Sequence, residues 1–508
     1  MRRRSLFLAD LSLMSLASIA LGAYLYMAAA RIAYPFTLEW AESNTFLHVA
    51  RVLDHQPIFV PPGYDFIPMI YTPFYYYVVA AVASFTGQIM FSMRLVSILS
   101  SLLVFIMIYI LCRLRQIRPQ TSVVAVGLFA ASYGVTGYWF DIGRVDMLFL
   151  ALLLSGYVLA VLPTQWEAVV GAGAGLLLCL AFATKQSALV AVPFLVLYLV
   201  FQRRWRQGLG LGSSFAISWG LFNLTMDQMS HGWFSLYIYA IPSAHPVSWQ
   251  IVTRDFWLTY LFTWFPWVVL VMVLAAIGLV LGRAKQASFN YGAFVFAFLL
   301  PLASMSVAST AKQGGYANGL LPIVAALAVL GAEAYQQIIT AAMASSSRIR
   351  VFKGFYILAS AFMVLQFAGL RYKVSEQIPA SEMLQAGYKM LAILQVAEKP
   401  VFIPTSPYLL YMVQQKTHFH ASSLGDLYLA ARYDPAMEEV FGPYRSEIEG
   451  FLASRSITTA ILPNASWYDG IFSEENGYIC VSAVAEHGPL ITLTGAISYL
   501  ERICRFSP

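Results

Sequence analysis

The sequence predicts a polytopic α-helical membrane protein with a C-terminal α/β domain outside the membrane. Of its 508 residues, 59% are hydrophobic and only 11% are charged, and the mean hydropathy is +0.68. Soluble domains average about 25% charged residues, so a single soluble fold is excluded. Apolar blocks alternate with short polar links up to about residue 370, whereas 371–508 has the mixed composition of a water-soluble domain. The chain therefore divides into a membrane body, 1–370, and a globular domain, 371–508.

Eleven apolar runs are long enough to cross a bilayer, which takes about 20 residues in a helix. They lie at 6–30, 95–112, 121–138, 147–163, 169–184, 187–202, 209–226, 256–282, 291–310, 319–337 and 353–370. A further apolar segment, Tyr71–Gly87, is interpreted as an interfacial or re-entrant helix, because counting it as a span would reverse the sidedness of every later loop. With this assignment, 31–94 is the first external loop.

Basic residues indicate which loops face the cytoplasm, because short loops rich in Lys and Arg stay on that side. Five clusters lie beside apolar runs: Arg2-Arg3-Arg4, Arg113/Arg115/Arg118, Arg203/Arg204/Arg206, Arg283/Lys285 and Arg348/Arg350/Lys353. All five share one side when the N-terminus is cytoplasmic, and eleven spans then place the C-terminal domain outside. We therefore expect a bacterial inner membrane protein with a periplasmic or extracellular C-terminal domain. The net charge of +6 follows from this topology and does not indicate a nucleic-acid partner.

The C-terminal domain alternates short β-like runs with helix-like stretches, which predicts a small α/β fold. The β-like runs include Val401–Pro404 and Thr458–Leu462, and the helical stretches include Ser381–Ala397 and Arg445–Ser454. An external domain can carry disulfides, so we predict a bond between Cys480 and Cys504.

The external loops contain an unusual number of ionisable residues. Such groups at membrane depth are costly, and those facing a shared cavity suggest a function. The candidates are Glu39 and Glu42 in the first loop, Asp141, Arg144 and Asp146 in the second, and Lys185, His245 and Lys312 in later ones. Glu39 and Glu42 lie three residues apart and would share a face of a helix. Either carboxylate could act as the general base that takes a proton from an acceptor hydroxyl.

Each of these residues also has a purely structural interpretation. A loop glutamate can be solvated or can cap a helix, and Arg144 can pair with the neighbouring aspartates to shape a cavity. A lone loop histidine such as His245 is more often structural than ligand-binding. The sequence contains no zinc-site spacing, phosphate loop or Gly-x-Ser-x-Gly turn. It therefore indicates no cofactor and leaves a divalent cation open.

Several motifs follow one another in a particular order along the membrane body. Glu42 after the first span is followed by an amphipathic surface helix, by the stretch Thr72-Pro73-Phe74-Tyr75-Tyr76-Tyr77 and by Arg94 at the second span. Asp146 then opens the fourth span, Ala183-Thr184-Lys185 closes the fifth, and a late loop occupies 314–322. In this order the sequence resembles the aminoarabinose transferases and protein mannosyltransferases of the GT-C class of membrane glycosyltransferases. The resemblance covers about residues 1–330 and does not extend to the C-terminal domain.

The resemblance implies an activity and a role for each candidate residue. Members of this class transfer a sugar from a polyprenyl-phosphate carrier to a lipid, glycan or protein acceptor at the external membrane face. The resemblance implies Glu42 as the base and Lys185 as a phosphate ligand, with Arg94 or Lys312 assisting. The other residues expected around the cavity are Tyr71, Asp141, Arg144, Asp146 and His245.

Two features depart from the family pattern. The family usually begins its motif with an Asp-Glu pair, whereas here Ala41 precedes Glu42 and the other carboxylate is Glu39. The choice of base between Glu39 and Glu42 therefore stays open. The family also often has an acid just before its re-entrant proline, where this chain has Tyr71-Thr72-Pro73. A different sugar is one explanation of the second departure.

A transporter or flippase of lipid-linked sugars is the main alternative, because ionisable groups and a re-entrant helix also suit transport. The ionisable residues concentrate at one face rather than at the midplane, and no inverted halves are evident, which favours the transferase. A non-catalytic scaffold whose external domain binds a glycan or a protein is a third interpretation. The one-sided polar loops fit that role less well.

Overall fold

The computed structural model describes residues 3–282, 285–343, 349–463, 468–482, 491–495, 500 and 502–507. Among the residues of the predicted basic clusters, Arg2, Arg283 and Arg348 lie outside this part of the chain. The described residues form a helical body followed by a smaller domain of helices and one sheet. This architecture confirms the predicted fold class.

The body contains fifteen α-helices within the described ranges. They are Arg3–Arg31 (α1), Glu42–Leu53 (α2), Phe74–Thr86 (α3), Ile89–Leu114 (α4), Pro119–Ala131 (α5), Asp146–Val161 (α6), Glu167–Thr184 (α7), Ala191–Phe201 (α8), Trp205–Met229 (α9), Trp233–Ser235 (α10), Ile241–Ala244 (α11), Pro266–Gly282 (α12), Lys285–Ala311 (α13), Leu321–Met343 (α14) and Ile349–Gly369 (α15). Single 3₁₀ turns cover Gln186–Val190 and Ala317–Leu320, and π-helical turns cover Leu236–Ala240 and Ile251–Phe262.

Six helices of the described chain are long and apolar enough to cross a membrane, and one bent pair would make a seventh. The six are Leu8–Arg31, Ile89–Leu114, Glu167–Thr184, Tyr291–Ala311, Ala317–Met343 and Val351–Gly369. Three further predicted spans correspond to the shorter apolar helices Pro119–Ala131, Asp146–Val161 and Gln186–Phe201. The chain is a multi-pass membrane protein, while the number of eleven spans stays a prediction.

The predicted span 256–282 is not one straight helix. Its two parts, Ile251–Phe262 and Pro266–Val280, meet at an angle of 97°. Pro266 has no backbone N–H and disfavours helical geometry in the residue before it, which explains a break at this point. The length and hydropathy of this segment therefore predicted a membrane span but did not predict the bend within it.

Helix α3 occupies the segment that the sequence assigned to an interfacial or re-entrant helix. It has 13 residues and ends at Gly87, whose positive φ of 70° closes the helix. At 1.5 Å per residue the helix is about 20 Å long, less than the roughly 30 Å of a bilayer core. Its length is therefore consistent with a helix that does not span.

The C-terminal domain contains four further α-helices and a four-stranded sheet within the described residues. The helices are Ser381–Val396 (α16), Tyr408–Met412 (α17), Ala421–Tyr433 (α18) and Pro435–Ala453 (α19), and the strands are Val401–Phe402 (β1), Thr459–Leu462 (β2), Tyr478–Ser482 (β3) and Arg502–Phe506 (β4). The strand order is β1-β2-β4-β3, with β1 and β2 parallel and the other pairs antiparallel. Cys480 of β3 and Cys504 of β4 are disulfide-bonded, as predicted.

Candidate active site

Several of the candidate residues lie together where helices of the body begin or end. Glu39 lies in the loop after α1, Asp146 is the first residue of α6, and Lys185 caps the end of α7. Asn318, in the turn after α13, reaches the same group through a hydrogen bond to Asp146. The fold thus brings together parts of the chain that are far apart in sequence.

Glu42 is held in a closed set of contacts at the start of α2. Its two oxygens accept hydrogen bonds from the backbone N–H groups of Leu38 and Gly143, both at 2.6 Å. Arg94 donates to the same carboxylate through Nε at 3.2 Å and Nη2 at 3.0 Å. Burial disfavours the charged form, but Arg94 and these hydrogen bonds hold the pKa of Glu42 below its ordinary value. Glu42 is therefore a fully buried carboxylate whose ionised form is stabilised by Arg94 and by these hydrogen bonds.

Arg94 uses its guanidinium entirely inside the protein. Besides Glu42, it donates to the backbone carbonyl groups of Arg31, Tyr34 and Phe36. Its side chain has no exposed surface. These contacts use all the N–H groups of the guanidinium, so it does not fit the phosphate-binding role predicted for Arg94. The residue fixes the first loop against α4 instead.

Glu39 has a different environment from Glu42. Its Oε2 accepts hydrogen bonds from the backbone N–H of Ala41 at 3.1 Å and from Nη1 of Arg144 at 3.2 Å. No described residue donates a hydrogen bond to its Oε1. Burial raises the pKa of Glu39 to about 7, while Arg144 acts in the opposite direction. A carboxylate with a pKa near neutrality can both accept and release a proton at physiological pH.

Asp146 and Lys185 form a second acid–base pair. Nζ of Lys185 lies 2.7 Å from Oδ1 of Asp146, which also accepts a hydrogen bond from Asn318 at 3.1 Å. Trp139 donates through Nε1 to the other oxygen at 2.9 Å. Burial disfavours the ammonium group, but the Asp146 carboxylate holds the pKa of Lys185 above its ordinary value. Lys185 is therefore a charged ammonium group fixed beside the first pair.

Tyr71 links the two pairs. The Arg144 guanidinium lies 5.7 Å from the centre of the Tyr71 ring, and the Lys185 ammonium lies 6.0 Å from it. A cation within about 6 Å of an aromatic face is attracted to it. Tyr71 remains partly exposed, so the two cations lie beside an aromatic surface that solvent reaches.

Asp141 belongs to a separate buried network. Its carboxylate pairs with Nε of Arg31 at 3.2 Å and accepts a hydrogen bond from Tyr133 at 2.5 Å. Arg31 also donates to Tyr133 at 2.8 Å. Both charged side chains are fully buried. Asp141 was predicted from the sequence to lie around the cavity. In the structure it forms a structural ion pair with Arg31 instead.

Lys312 and His245 lie near each other, in loops away from the two acid–base pairs. Lys312 donates to the backbone carbonyl of Pro242, and burial lowers the pKa of Lys312. The His245 Nε2 lies 3.1 Å from the backbone oxygen of Asp426 in α18, and burial lowers the pKa of His245. Within the described part of the chain, neither residue forms a hydrogen bond or an ion pair with Glu39 or Asp146.

Asp426 was not identified from the sequence. Its side chain is partly buried, and burial raises the pKa of Asp426 to about 7, with Arg144 acting in the opposite direction. The C-terminal domain thus places a carboxyl group within the electrostatic range of Arg144. A single aspartate in a soluble helix carries no sequence signal of such a role, because its neighbour in space is about 280 residues away in the chain.

No group of three or more His, Cys, Asp or Glu side chains in the described part of the chain is arranged to hold a metal ion. The two carboxylates of the site, Glu39 and Asp146, are instead each paired with a cation. The arrangement provides bases and cations rather than a set of metal ligands.

Comparisons with known proteins agree with this arrangement of helices. Residues 70–224 match the profile of the dolichyl-phosphate-mannose-protein mannosyltransferase family. The matched residues make up less than half of the chain. A search of curated proteins finds no sequence match. The chain has the fold of the GT-C class of membrane glycosyltransferases, which confirms the predicted resemblance.

Solved structures with this fold cover most of the chain. ArnT from Cupriavidus metallidurans bound to undecaprenyl phosphate superposes with a TM-score of 0.56 at 12% identity, covering 97% of this chain and 98% of ArnT. Its apo state gives a TM-score of 0.55 at the same identity and coverage. The archaeal oligosaccharyltransferase AglB from Archaeoglobus fulgidus, in complex with an inhibitory peptide and a dolichol-phosphate, gives 0.51 at 11% identity, covering 87% of this chain and 69% of AglB.

Proposed function

We propose that this protein transfers a sugar from a polyprenyl-phosphate-linked donor to a hydroxyl group of a lipid, glycan or protein acceptor. The observation that carries this proposal is the pair of neighbouring acid–base contacts, Glu39 with Arg144 and Asp146 with Lys185, around Tyr71. Sugar transfer needs a base for the acceptor and cations for the departing phosphate, and this group contains both. The similarity to ArnT bound to undecaprenyl phosphate supports a lipid-phosphate donor.

Glu39 is the base in this proposal. Glu42 accepts hydrogen bonds from Arg94 and from three backbone N–H groups, and its pKa is lowered, so it is a weak base with no free direction of approach. Glu39 has a pKa near 7 and no described donor on Oε1. The resemblance alone implied Glu42; the contacts favour the other carboxylate.

Lys185 and Arg144 are the groups that would bind the donor phosphate. Arg144 is buried and Lys185 is partly buried, and each is held beside a carboxylate and next to the partly exposed ring of Tyr71. In the reaction the acceptor oxygen forms a bond to the anomeric carbon and loses its proton to Glu39. The bond from that carbon to the phosphate oxygen breaks, and its electron pair leaves with the polyprenyl phosphate. The two cations stabilise the negative charge that develops on the phosphate.

The site is proposed to face the external side of a bacterial inner membrane. The C-terminal domain contacts the first loop directly, since Asn44 donates hydrogen bonds to Ser422 at 2.9 Å and Ser423 at 2.8 Å. Its disulfide also suits an oxidising compartment. A domain in this position can contribute to acceptor binding.

The test compares wild type, Glu39→Gln, Glu42→Gln and the surface control Glu376→Gln in lipid with polyprenyl-phosphate sugars and candidate acceptors. We expect wild type and Glu376→Gln to release polyprenyl phosphate and form a glycosidic product. Glu39→Gln should lower kcat by about 10²- to 10⁴-fold, the range for a general base, while still binding the donor.

Glu42→Gln should mainly lower stability. It leaves the buried charge of Arg94 without its partner, a change that costs about 3–5 kcal/mol. Thermal unfolding of the four proteins separates this effect from a loss of chemistry. Full activity in folded Glu39→Gln would refute its role as base, and donor translocation without a glycosidic product would support the transporter or flippase instead.

A further inference from the structure

A short segment of the C-terminal domain, Ile491–Gly495, runs against the loop that contains Glu39. We call this the cover segment. The backbone N–H groups of Leu493 and Thr494 both donate to the carbonyl oxygen of Leu38 at 2.9 Å. Glu39 itself pairs with Thr494 in an isolated parallel β-bridge. The backbone on both sides of the proposed base is therefore fixed by a part of the chain about 455 residues away.

The side chain of Thr494 ties the cover segment into the buried network of the membrane body. Its Oγ1 accepts a hydrogen bond from Nη2 of Arg31 at 3.2 Å and contacts Oε1 of Gln377 at 3.2 Å. Arg31 is in turn paired with Asp141. Thr494 is 1% exposed, so these contacts lie away from bulk water. The position of the segment is thereby set by contacts on two sides.

Gly495 lies directly against the Glu39 side chain. A Cβ atom at this position would be 2.9 Å from Cγ of Glu39 and 3.4 Å from its Oε1. The same Cβ would be 3.4 Å from the Trp139 ring. The φ of Gly495 is +75°, a conformation that residues with side chains rarely adopt. Only glycine allows the backbone to approach the carboxylate this closely without strain.

We propose that the cover segment is part of the catalytic site: it positions Glu39 and shields one side of its carboxyl group from water. This inference rests on the proposed role of Glu39 as base. Backbone fixed beside a reactive group reduces its freedom, and exclusion of water strengthens the electrostatic interactions of that group. The strands that precede and follow the segment, β3 and β4, are joined by the Cys480–Cys504 disulfide, which helps hold it in place.

The proposal predicts what happens when the cover segment is displaced. In Gly495→Ala the new methyl group should push the segment from Glu39 and admit water. The control is Gly470→Ala, because a Cβ there meets nothing within 4 Å. Since burial is what raises the pKa of Glu39, hydration should lower the midpoint of its titration from about 7 toward the ordinary value for glutamate, about 4.3.

Infrared titration measures this midpoint without depending on activity. The carboxylic acid band of Glu39 is assigned by its absence in Glu39→Gln. We expect the midpoint to fall by at least about one pH unit in Gly495→Ala and to stay unchanged in Gly470→Ala. In the transfer assay kcat should fall by about 100-fold, the scale of a small misplacement of a reacting group.

A second variant keeps the test decisive if Gly495→Ala does not fold. Thr494→Val keeps the shape of the side chain but removes the hydrogen bonds to Arg31 and Gln377. It should shift the Glu39 midpoint in the same direction by a smaller amount. An unchanged midpoint in a folded cover-segment variant would overturn the proposal. A shifted midpoint in a protein whose wild type transfers no sugar would instead refute the proposed function and leave the shielding intact.

Discussion

Glu39 and Glu42, three residues apart, differ in the number of hydrogen bonds that their carboxylates accept. Glu39 and Glu42 are both almost fully buried, so burial alone would raise the pKa of each. Hydrogen bonds to a charged group contribute about 1.5–3 kcal/mol each, enough to reverse the cost of burial when several act together. Glu42 receives donors on both oxygens, whereas the described donors of Glu39 reach only Oε2. The same residue type therefore serves as an anchor in one position and as the proposed base in the other.

Arg144 should control the pH at which Glu39 acts. Its positive charge lowers the pKa of Glu39, which burial has raised to about 7. In Arg144→Gln this opposing effect is lost, so the pKa should rise, and deprotonated base should appear only at higher pH. We expect the acidic limb of the kcat/KM profile to move upward by about one pH unit or more.

The control for this prediction is Arg254→Gln, whose side chain is exposed. Loss of phosphate binding in Arg144→Gln would raise the KM for the donor at every pH without moving the limb. A limb that stays in place or moves to lower pH would contradict the assigned interaction between Arg144 and Glu39.

The sequence predicted the local members of the site better than their distant partners. Glu39, Arg144, Asp146 and Lys185 stood out because charged residues beside apolar runs are costly. Thr494 and Arg31 did not, because their contact joins residues 463 apart in sequence. The same holds for Asp10 in the first apolar run, because its partner at 3.0 Å, Arg118, is 108 residues away in sequence.

Hydropathy predicted which segments are apolar but not where their helices break. The predicted span 121–138 is helical only as Pro119–Ala131, and a turn follows in which Gly137 and Tyr138 have positive φ. This turn leads to the loop that contains Asp141 and Arg144. Helix α5 thus ends before the irregular backbone of this loop, several residues earlier than hydropathy predicted.

Besides the cover segment, helix α18 brings the C-terminal domain near the site, because the carboxyl group of Asp426 lies within the electrostatic range of Arg144. We predict that Asp426→Asn raises the KM for the acceptor by about 10- to 100-fold, because a hydrogen bond to a charged group is worth about 1.5–3 kcal/mol. The KM for the donor should stay within about twofold of wild type. Glu439→Gln, an exposed change on α19, is the control.

Steady-state kinetics with each substrate varied in turn measures this effect. An equal rise in both KM values would indicate a general disturbance of the cavity. An unchanged acceptor KM would show that α18 does not contribute to acceptor binding through Asp426.

Ion pairs lie near both ends of two long helices of the body, fully buried at one end of each helix and partly exposed at the other. On α1, Asp10 pairs with Arg118 at one end and Arg31 pairs with Asp141 at the other. On α4, Arg94 pairs with Glu42 near the start, and Arg115, directly after its last residue, pairs with Glu333. At 1.5 Å per residue, the two ion-paired positions on each helix are about 32 Å apart, close to the roughly 30 Å thickness of a bilayer core. The separation of the ion pairs along each helix therefore matches the thickness of a bilayer core.

This spacing predicts opposite accessibility for the two ends of the molecule. Lys416 is exposed in the C-terminal domain, and Gln120 is exposed near the start of α5, beside Arg118. We expect a membrane-impermeant maleimide to label Lys416→Cys in intact bacterial spheroplasts and Gln120→Cys only after permeabilisation, because basic loops stay in the cytoplasm. The native free cysteines, Cys112 and Cys179, are buried, and Cys480 and Cys504 are disulfide-bonded, so the unmodified protein should give little background. Labelling of Gln120→Cys in intact spheroplasts would show that the topology is the opposite of the predicted one. Glu39, Arg144 and Lys185 would then lie on the cytoplasmic side.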